Sequence, residues 1–523
     1  MIGNHLSVAV WMSLRGVFVT ERPWRKKLTG SKSSVNDWAS RTLRQRCQVV
    51  GRVAAAITAR AEELTQLSST DQRVDPVETI TAELLPTCSA LRFIGRRGTR
   101  VLRTRAYNAW GRPAWLWGVR SRVHRKPRGK VLVLGTWNYP VFLPGVQAAQ
   151  ALAAGNTVLL KPAEGCEQVT SCLMKAFYEA GVPESALQML PSRAESAIQA
   201  IADGVDLIVL TGSSETGRKV LRQAAETVTP TIMELSGCDA VVVLPGADIT
   251  RAADCIGFGL KFNAGATCIG PRRIIAEDRE ADLLKTALCE RLDQMGWATV
   301  HAAARKEAAK RISGAIASGA VDVLGRFDET RLLDCGKMTP VLLDGVKSHD
   351  KIAAADLFAP ITSLVRVLSI GQASEIVNQC PYRLAVSIFG PGKLAESVAV
   401  QLDVGTVCVN DLIVPTADPR LTFGGRGESG FGVTRGEDGL LAMSVPATIS
   451  RRHGKFAPHL QPRQSTDPQT LLGALQLLHA GTLTERCSGL KNMIAAVRNG
   501  RGLGADRQKQ GPQAKSPEKE KKP

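Results

Sequence analysis

The chain has 523 residues, 44% of them hydrophobic and 22% charged, which excludes a disordered polypeptide and suffices for two or three domains with cores of their own. No run reaches about 18 apolar residues, which excludes a spanning helix and predicts a soluble protein without stable membrane insertion. Twelve cysteines without a CxxC pair and seven scattered histidines offer neither a metal site nor a disulfide framework, and predict a reducing, cytoplasmic setting.

The formal charge of +19 is unevenly placed. Residues 1–34 form a basic extension whose apolar stretch, around Val8 to Met12, is too short to cross a bilayer and lacks the order of a secretory signal. Residues 92–130 hold 13 basic residues and no acid, interleaved with Trp110, Trp115 and Trp117. Such a stretch fits nucleic acid, an anionic lipid surface, or a solvated face that doubles as a subunit contact. The last reading is adopted here, with no nucleic-acid partner.

Residues 131–134 are a short apolar run closed by Gly135, a buried strand. The polar break at Thr136, Trp137 and Asn138 falls where an open α/β sheet presents its strand ends to a ligand. The Asn138 carboxamide has an N–H suited to an oxyanion, a contact worth about 3 kcal/mol in acyl transfer. Read alone, Asn-Tyr-Pro is first of all a turn. Residues 158–160 form a second strand, closed by Lys161-Pro162. Lys161 and Glu164 then offer a donor and an acceptor for ribose hydroxyls or, equally, a solvated loop pair. Residues 171–179 read as a helix. Residues 206–210 form a third strand that runs through Thr211-Gly212-Ser213 into a helix ending near Glu226. Small residues at such a turn let backbone N–H groups and the helix dipole approach a pyrophosphate. The pattern is not GxGxxG, and its specificity is low. A further strand at Val241 continues the alternation, which argues for a parallel sheet.

TIMELSGCDA carries Glu234, and FNAGATCIGPRR carries Cys268 34 positions later. A thiol attacks a carbonyl only with a lowered pKa or a nearby base, and the resulting thioester needs an activated water. A cysteine and a glutamate base are the minimum kit for that two-step acyl chemistry. Residues 272–276 and 385–389 supply a second strand set, and residues 407–410 return toward the first. Residues 471–478 read as a short amphipathic helix, and residues 505–523 as a disordered, Lys-rich tail.

Taken in order, TWNYP, KPAE, TGSSETG, MELSG, the ATC cysteine, DLFAP at 356–360 and FGGRGESGFG at 423–432 resemble the NAD(P)-dependent aldehyde dehydrogenases. The resemblance covers roughly residues 75–450, and the 23-residue step from Asn138 to Lys161 and the 34-residue step from Glu234 to Cys268 match the family. It implies an α/β fold with a Rossmann-type cofactor domain, an α/β catalytic domain and a small bridging, oligomerisation element. The cofactor domain would span residues 35–234 with a bridging segment at 113–130. The catalytic domain would span 235–420, the return and bridging strand 421–455, and a C-terminal extension 456–523.

The implied activity is oxidation of a small-molecule aldehyde to its acid with NAD, NADP being the second option, in a homodimer or homotetramer. Cys268 would form a thiohemiacetal and then a thioester, Asn138 and the Cys268 N–H would hold the oxyanion, and Glu234 would activate water. Lys161 and Glu164 would hold the adenosine ribose, with Gly212, Ser213 and Gly217 at the pyrophosphate. Asp356 and Phe358 would meet the nicotinamide ribose and ring, and Thr136, Trp137 and Leu235 would complete the cofactor site. The chain departs from the family pattern at Ala266 (usually glutamine), Ser236 (glycine), Asp356 (glutamate) and Gly427 (lysine). Asp356 is one methylene shorter, which loosens the expected hold on the nicotinamide. Two other readings stay open: a CoA-acylating or reductive relative, against which Glu234 argues, and a catalytically weak scaffold whose basic face binds a polyanion. The joint presence of Cys268, Glu234 and Asn138 argues against the second.

Overall fold

The computed structural model describes residues 37–509. The basic extension at 1–34 and the tail beyond Lys509 lie outside the described residues. The chain divides into two compact units, one running to Arg105 and resuming over Val123–Ile449, the other made of Ala106–Arg122 and the chain from Ser450.

The first unit opens with helix α1 (Leu43–Ala59), which begins at a capping box: Gln45 N donates to Thr42 Oγ1 and Thr42 N to Gln45 Oε1. Helix α2 (Leu85–Val101) packs beside it. Five strands follow, β1 (Lys130–Leu134), β2 (Thr157–Lys161), β3 (Leu187–Met189), β4 (Leu207–Gly212) and β5 (Thr231–Leu235). Between them come α3 (Phe142–Ala154), α4 (Glu167–Glu179), α5 (Ala194–Ala202) and α6 (Ser214–Thr227). The strands form a parallel sheet because helical crossovers join them, and such a sheet must be covered on both faces. Alternation along each strand achieves this. Val131, Val133, Leu207 and Val209 face the core shared with α1, α3 and α4, while Leu132, Leu134, Ile208 and Leu210 face the core shared with α5 and α6.

A seven-stranded sheet follows, built from β6 (Ala240–Val243), β7 (Arg273–Glu277), β8 (Val321–Asp322), β9 (Val341–Asp344), β10 (Ile361–Val367), β11 (Ala385–Phe389) and β12 (Thr406–Val409). Its order is β8-β9-β10-β7-β6-β11-β12, parallel except for β8. Helices α7 (Ile249–Lys261) and α8 (Asp278–Asp293) cover one face, and α9 (Ala302–Ala317) the other.

The chain then returns to the first sheet, where β13 (Gly430–Phe431) pairs antiparallel with β5, Gly430 opposite Glu234. Only glycine fits there: φ is +95°, and a Cβ would lie 2.0 Å from Met233 O. This pairing lays residues 429–435 alongside Glu234.

In the second unit, His453 N donates to Gly118 O (2.7 Å) and the hydroxyls of Ser121 and Ser450 meet at 2.8 Å. Two helices, Asp467–His479 and Leu483–Lys509, pack on each other. The expected short helix at 471–478 lies within the first. The second corrects the expectation for residues 505–509, which are helical: Ala505 to Lys509 contains no proline or glycine to stop the helix.

Candidate active site

A cavity of about 760 Å³ opens at the carboxyl ends of β1, β2, β4 and β5, where an open parallel sheet presents its ligand crevice. Thr136, Trp137, Asn138, Lys161, Gly212, Ser213, Glu234, Leu235, Cys268, Asp356 and Phe358 all line it. Of the residues singled out in the sequence, Glu164 and Gly217 are not in that lining. Glu164 is exposed, and its charge favours the ammonium of Lys161, which burial disfavours. Gly217 faces the sheet: a Cβ there would lie 2.7 Å from Leu235 Cδ1, so its absence lets α6 settle on β5.

Cys268 stands on a loop over-determined by hydrogen bonds. Asn263 and Ala264 hold left-handed backbone, with φ of 49° and 51°, which non-glycine residues keep only when their surroundings impose it. Asn263 Nδ2 donates to Asn138 O (3.1 Å), Asn138 Nδ2 to Ala266 O (3.0 Å), and the Tyr139 and Thr267 hydroxyls meet at 2.6 Å. Arg272 Nη2 donates to Gly265 O and Thr267 O, both at 2.8 Å. One of the two Asn138 Nδ2 protons is therefore spent on the loop, and the other is left for a ligand.

The Asn138 turn is anchored from behind. Arg73 and Glu83 form a buried ion pair. Glu83 Oε2 also accepts from Val141 N (2.6 Å) and Phe142 N (3.1 Å), a carboxylate at the start of α3, while Arg73 Nη1 donates to Asn138 O (3.2 Å).

Glu234 ends β5 with one oxygen held and one free. Oε2 accepts from Gln147 Nε2 (3.2 Å), Thr434 Oγ1 (3.2 Å) and Thr211 Oγ1 (3.4 Å), while Oε1 has no partner. Burial raises its pKa above the ordinary carboxylate value, against the opposing pull of Arg435 and those three donors. Burial also pushes the Cys268 thiol up to about 12, reinforced by the charges of Glu234 and Asp239. Burial thus favours the neutral thiol of Cys268, which shares the cavity lining with Glu234.

The other half of the cavity suits a dinucleotide. Trp137 stacks on His301 (centroids 4.1 Å apart) and meets Phe358 edge-on (5.8 Å). Ser213 Oγ accepts from Thr216 N (3.2 Å), capping α6 so that its N-terminus faces the cavity. Asp356 Oδ1 has no partner; burial raises the pKa of its carboxyl, while the Ser236 hydroxyl and Arg272 favour its ionised form.

The profile of the aldehyde dehydrogenase family matches residues 20–449. The chain belongs to this family. It is similar to the 4,4'-diapolycopene aldehyde oxidase of Methylomonas sp, 29% identical over 480 residues that cover 89% of each chain. It is also similar to the 4,4'-diaponeurosporen-aldehyde dehydrogenase of Staphylococcus aureus, 26% identical over 79% of this chain and 90% of that one. Among solved structures, the Mycobacterium tuberculosis aldehyde dehydrogenase complexed with NAD+ superposes with a TM-score of 0.71 at 26% identity, over 79% of this chain and 86% of that one. As an aldehyde dehydrogenase, the chain is an oxidoreductase acting on aldehydes.

Sequence reasoning missed Gln147, Thr211 and Thr434, which hold Glu234, and the Arg73–Glu83 pair behind Asn138. Polar residues inside an otherwise apolar α3 were the available signal for Gln147: every residue of that helix is buried. Arg435 was missed as well. It lies three residues past the FGGRGESGFG motif, with its side chain inside the protein.

Proposed function

We propose that this aldehyde dehydrogenase oxidises an aldehyde to its carboxylic acid with NAD, NADP being the second option, through a thioester on Cys268. The observation that carries the proposal is the convergence of Cys268, Asn138 and Glu234 on one cavity that Lys161, Gly212, Ser213 and Phe358 also line. Lys161, Ser213, the α6 N-terminus, Asp356 and Phe358 would hold the cofactor. Bound there, it would supply the hydride acceptor for the carbon to which Cys268 has added. Glu234 takes the thiol proton, directly or through a water, and the sulfur adds to the carbonyl carbon. The free N–H of Asn138 and the Cys268 N–H stabilise the oxyanion. After oxidation, and once Glu234 has released the thiol proton to solvent, it takes a proton from water as the water oxygen adds to the thioester carbon; the C–S bond breaks, the thiolate recovers that proton, and the acid leaves. No specific observation favours CoA as acceptor: Ser236 Oγ donates to Gly212 O, and the Ala266 carbonyl accepts from Asn138.

The apolar packing around Cys268 supports an apolar aldehyde. Leu143 lines the cavity and clusters with Tyr139, Phe142, Phe262 and Ile413, and Ile413 also packs with Cys268, Ile269 and Phe423. A homodimer or homotetramer in the cytoplasm completes the proposal, supported by the exposed Trp110, Trp115 and Trp117 and by the free cysteines.

The test is a panel of aliphatic, aromatic and semialdehyde substrates, each with NAD, NADP and CoA, run on the wild type and on Cys268→Ala. The variant should bind cofactor and lose oxidation. Retained activity above a few per cent, or a CoA requirement in the wild type, would overturn the mechanism.

A further inference from the structure

Arg435 occupies a place that local physics disfavours. Its backbone sits at φ 59°, ψ 173°, a region almost reserved for glycine, and such strain persists only where the surroundings impose it and clusters at functional sites. Its side chain is 6% exposed, with the guanidinium carbon 3.9 Å from the Phe423 ring centre and 5.4 Å from that of Phe142. Nη1 donates to Thr416 O (2.8 Å), and Nε has no partner. Among the described residues, no carboxylate lies within ion-pair distance of it. A buried guanidinium ordinarily has such a partner, because desolvating an unpaired charge is costly.

The neighbouring residue shows what the charge serves. Thr434 donates to Glu234 Oε2 at 3.2 Å, so the strained segment brings a hydroxyl onto the base and the guanidinium into its field. We propose that Arg435 is a positioning residue for the acyl chemistry: it is the countercharge for the one negative charge that Cys268 and Glu234 share. When the S–H bond breaks and the Glu234 O–H forms, the charge moves from carboxylate to sulfur, and the Arg435, Glu234 and Cys268 set stays neutral overall. Glu234 then gives that proton to solvent, and in thioester hydrolysis it takes one from water while the sulfur departs as thiolate, again leaving the set neutral. Without Arg435 the set carries an uncompensated buried negative charge at every stage, which uptake of a proton by Glu234 relieves at the expense of the base.

The surroundings leave this task to Arg435. Cys268 faces Glu234, Asp239 and Asp356, which all oppose the thiolate, and a buried Tyr139. The other cation there, Arg272, is bonded to the carbonyls of Gly265 and Thr267 and shares its charge with Asp239 and Asp356. Glu234 faces Arg435 and the neutral donors Thr434, Thr211 and Gln147. Arg435 favours the ionised form of both Cys268 and Glu234.

This inference rests on the nucleophile and base assigned above. It is tested with Arg435→Met, which keeps bulk between the two phenyl rings, and Arg435→Lys, which keeps charge. The readouts are the pH dependence of Cys268 alkylation by iodoacetamide, site-resolved by mass spectrometry, and that of kcat. Arg435→Met should alkylate about ten-fold more slowly at pH 7 and move the acid limb of kcat up by about one pH unit, the usual effect of one nearby opposite charge. Arg435→Lys should recover most of both. Profiles of Arg435→Met that superimpose on the wild type overturn the proposal. So does a lysine variant as impaired as the methionine one, which makes the role one of shape, or a loss confined to the KM of semialdehydes, which makes Arg435 a reader of substrate carboxylate. If Arg435→Met fails to fold, Arg435→Gln against Arg435→Lys makes the same comparison. Failure of the underlying assignment shows separately, as oxidation surviving Cys268→Ala.

Discussion

Ser236 Oγ donates to Gly212 O at 3.3 Å, and the same hydroxyl favours the ionised form of the Asp356 carboxylate, so two of the positions singled out against the family pattern act on each other. The hydroxyl at 236 thus acts electrostatically on the shorter carboxylate at 356.

Ser236→Gly should therefore weaken NAD binding, because it removes the hydroxyl that favours the ionised Asp356 carboxylate. Asp356→Glu alone should crowd Ser236 and weaken binding too, while the double variant should recover. The four proteins form a double-mutant cycle with an expected coupling of about 0.5–3 kcal/mol. Titration of NAD by intrinsic fluorescence measures it, and strictly additive losses would show that the two positions do not cooperate.

The Arg73–Glu83 pair makes a prediction about stability. Both side chains are buried, so Glu83→Gln strands a guanidinium without its countercharge and weakens the bonds to the start of α3. The expected cost is about 3–5 kcal/mol in denaturant unfolding. Because Arg73 also holds the Asn138 carbonyl, kcat should fall even where the protein is fully folded. A loss no larger than that of an exposed pair, about 1 kcal/mol or less, would mean the pair relaxes without consequence.

Glu164 lies outside the cavity lining, yet its charge reaches Lys161. Glu164→Gln should raise kcat/KM for NADP relative to NAD by removing like-charge repulsion of a 2′-phosphate. An unchanged ratio assigns Glu164 to the surface.

The convergence of Asn138, Glu234 and Cys268 on one cavity was legible because each closes a short apolar run or stands in a glycine-rich loop whose spacing the fold preserves. The strand ends were read to within a residue or two, since buried parallel strands are near-continuous apolar runs. What could not be read were partnerships across long sequence separations. Nothing around Thr434 or Arg435 signals that β13 will pair with β5 and deliver them to a glutamate 200 residues earlier. Glu83 and Arg73 look like ordinary surface charges in sequence, and only the packing of α2 and α3 shows them buried. The support of Asp356 by Ser236 was hidden for the same reason, as each departure was weighed by itself.

The last prediction concerns how the thioester leaves, and it rests on the single unpartnered oxygen of Glu234. Three donors fix Oε2 and leave Oε1 to receive a proton from water. Glu234→Gln keeps the shape and replaces the basic oxygen with a group that accepts no proton. The variant should still oxidise one equivalent of aldehyde and then stall as an acyl-enzyme. Rapid mixing should show a burst of reduced cofactor near one per site, followed by turnover slowed about 10²- to 10⁴-fold, the usual worth of a general base. The wild type should also show a pH signature with a definite sign. Burial raises the Glu234 pKa, so the carboxylate is lost as pH falls through a value above the ordinary range of about 4.3 for glutamate, and kcat falls with it. That acid limb should disappear from the residual turnover of Glu234→Gln. Burst-free kinetics at wild-type rate in the variant, or an acid limb that survives the substitution, would assign the proton transfer to another group.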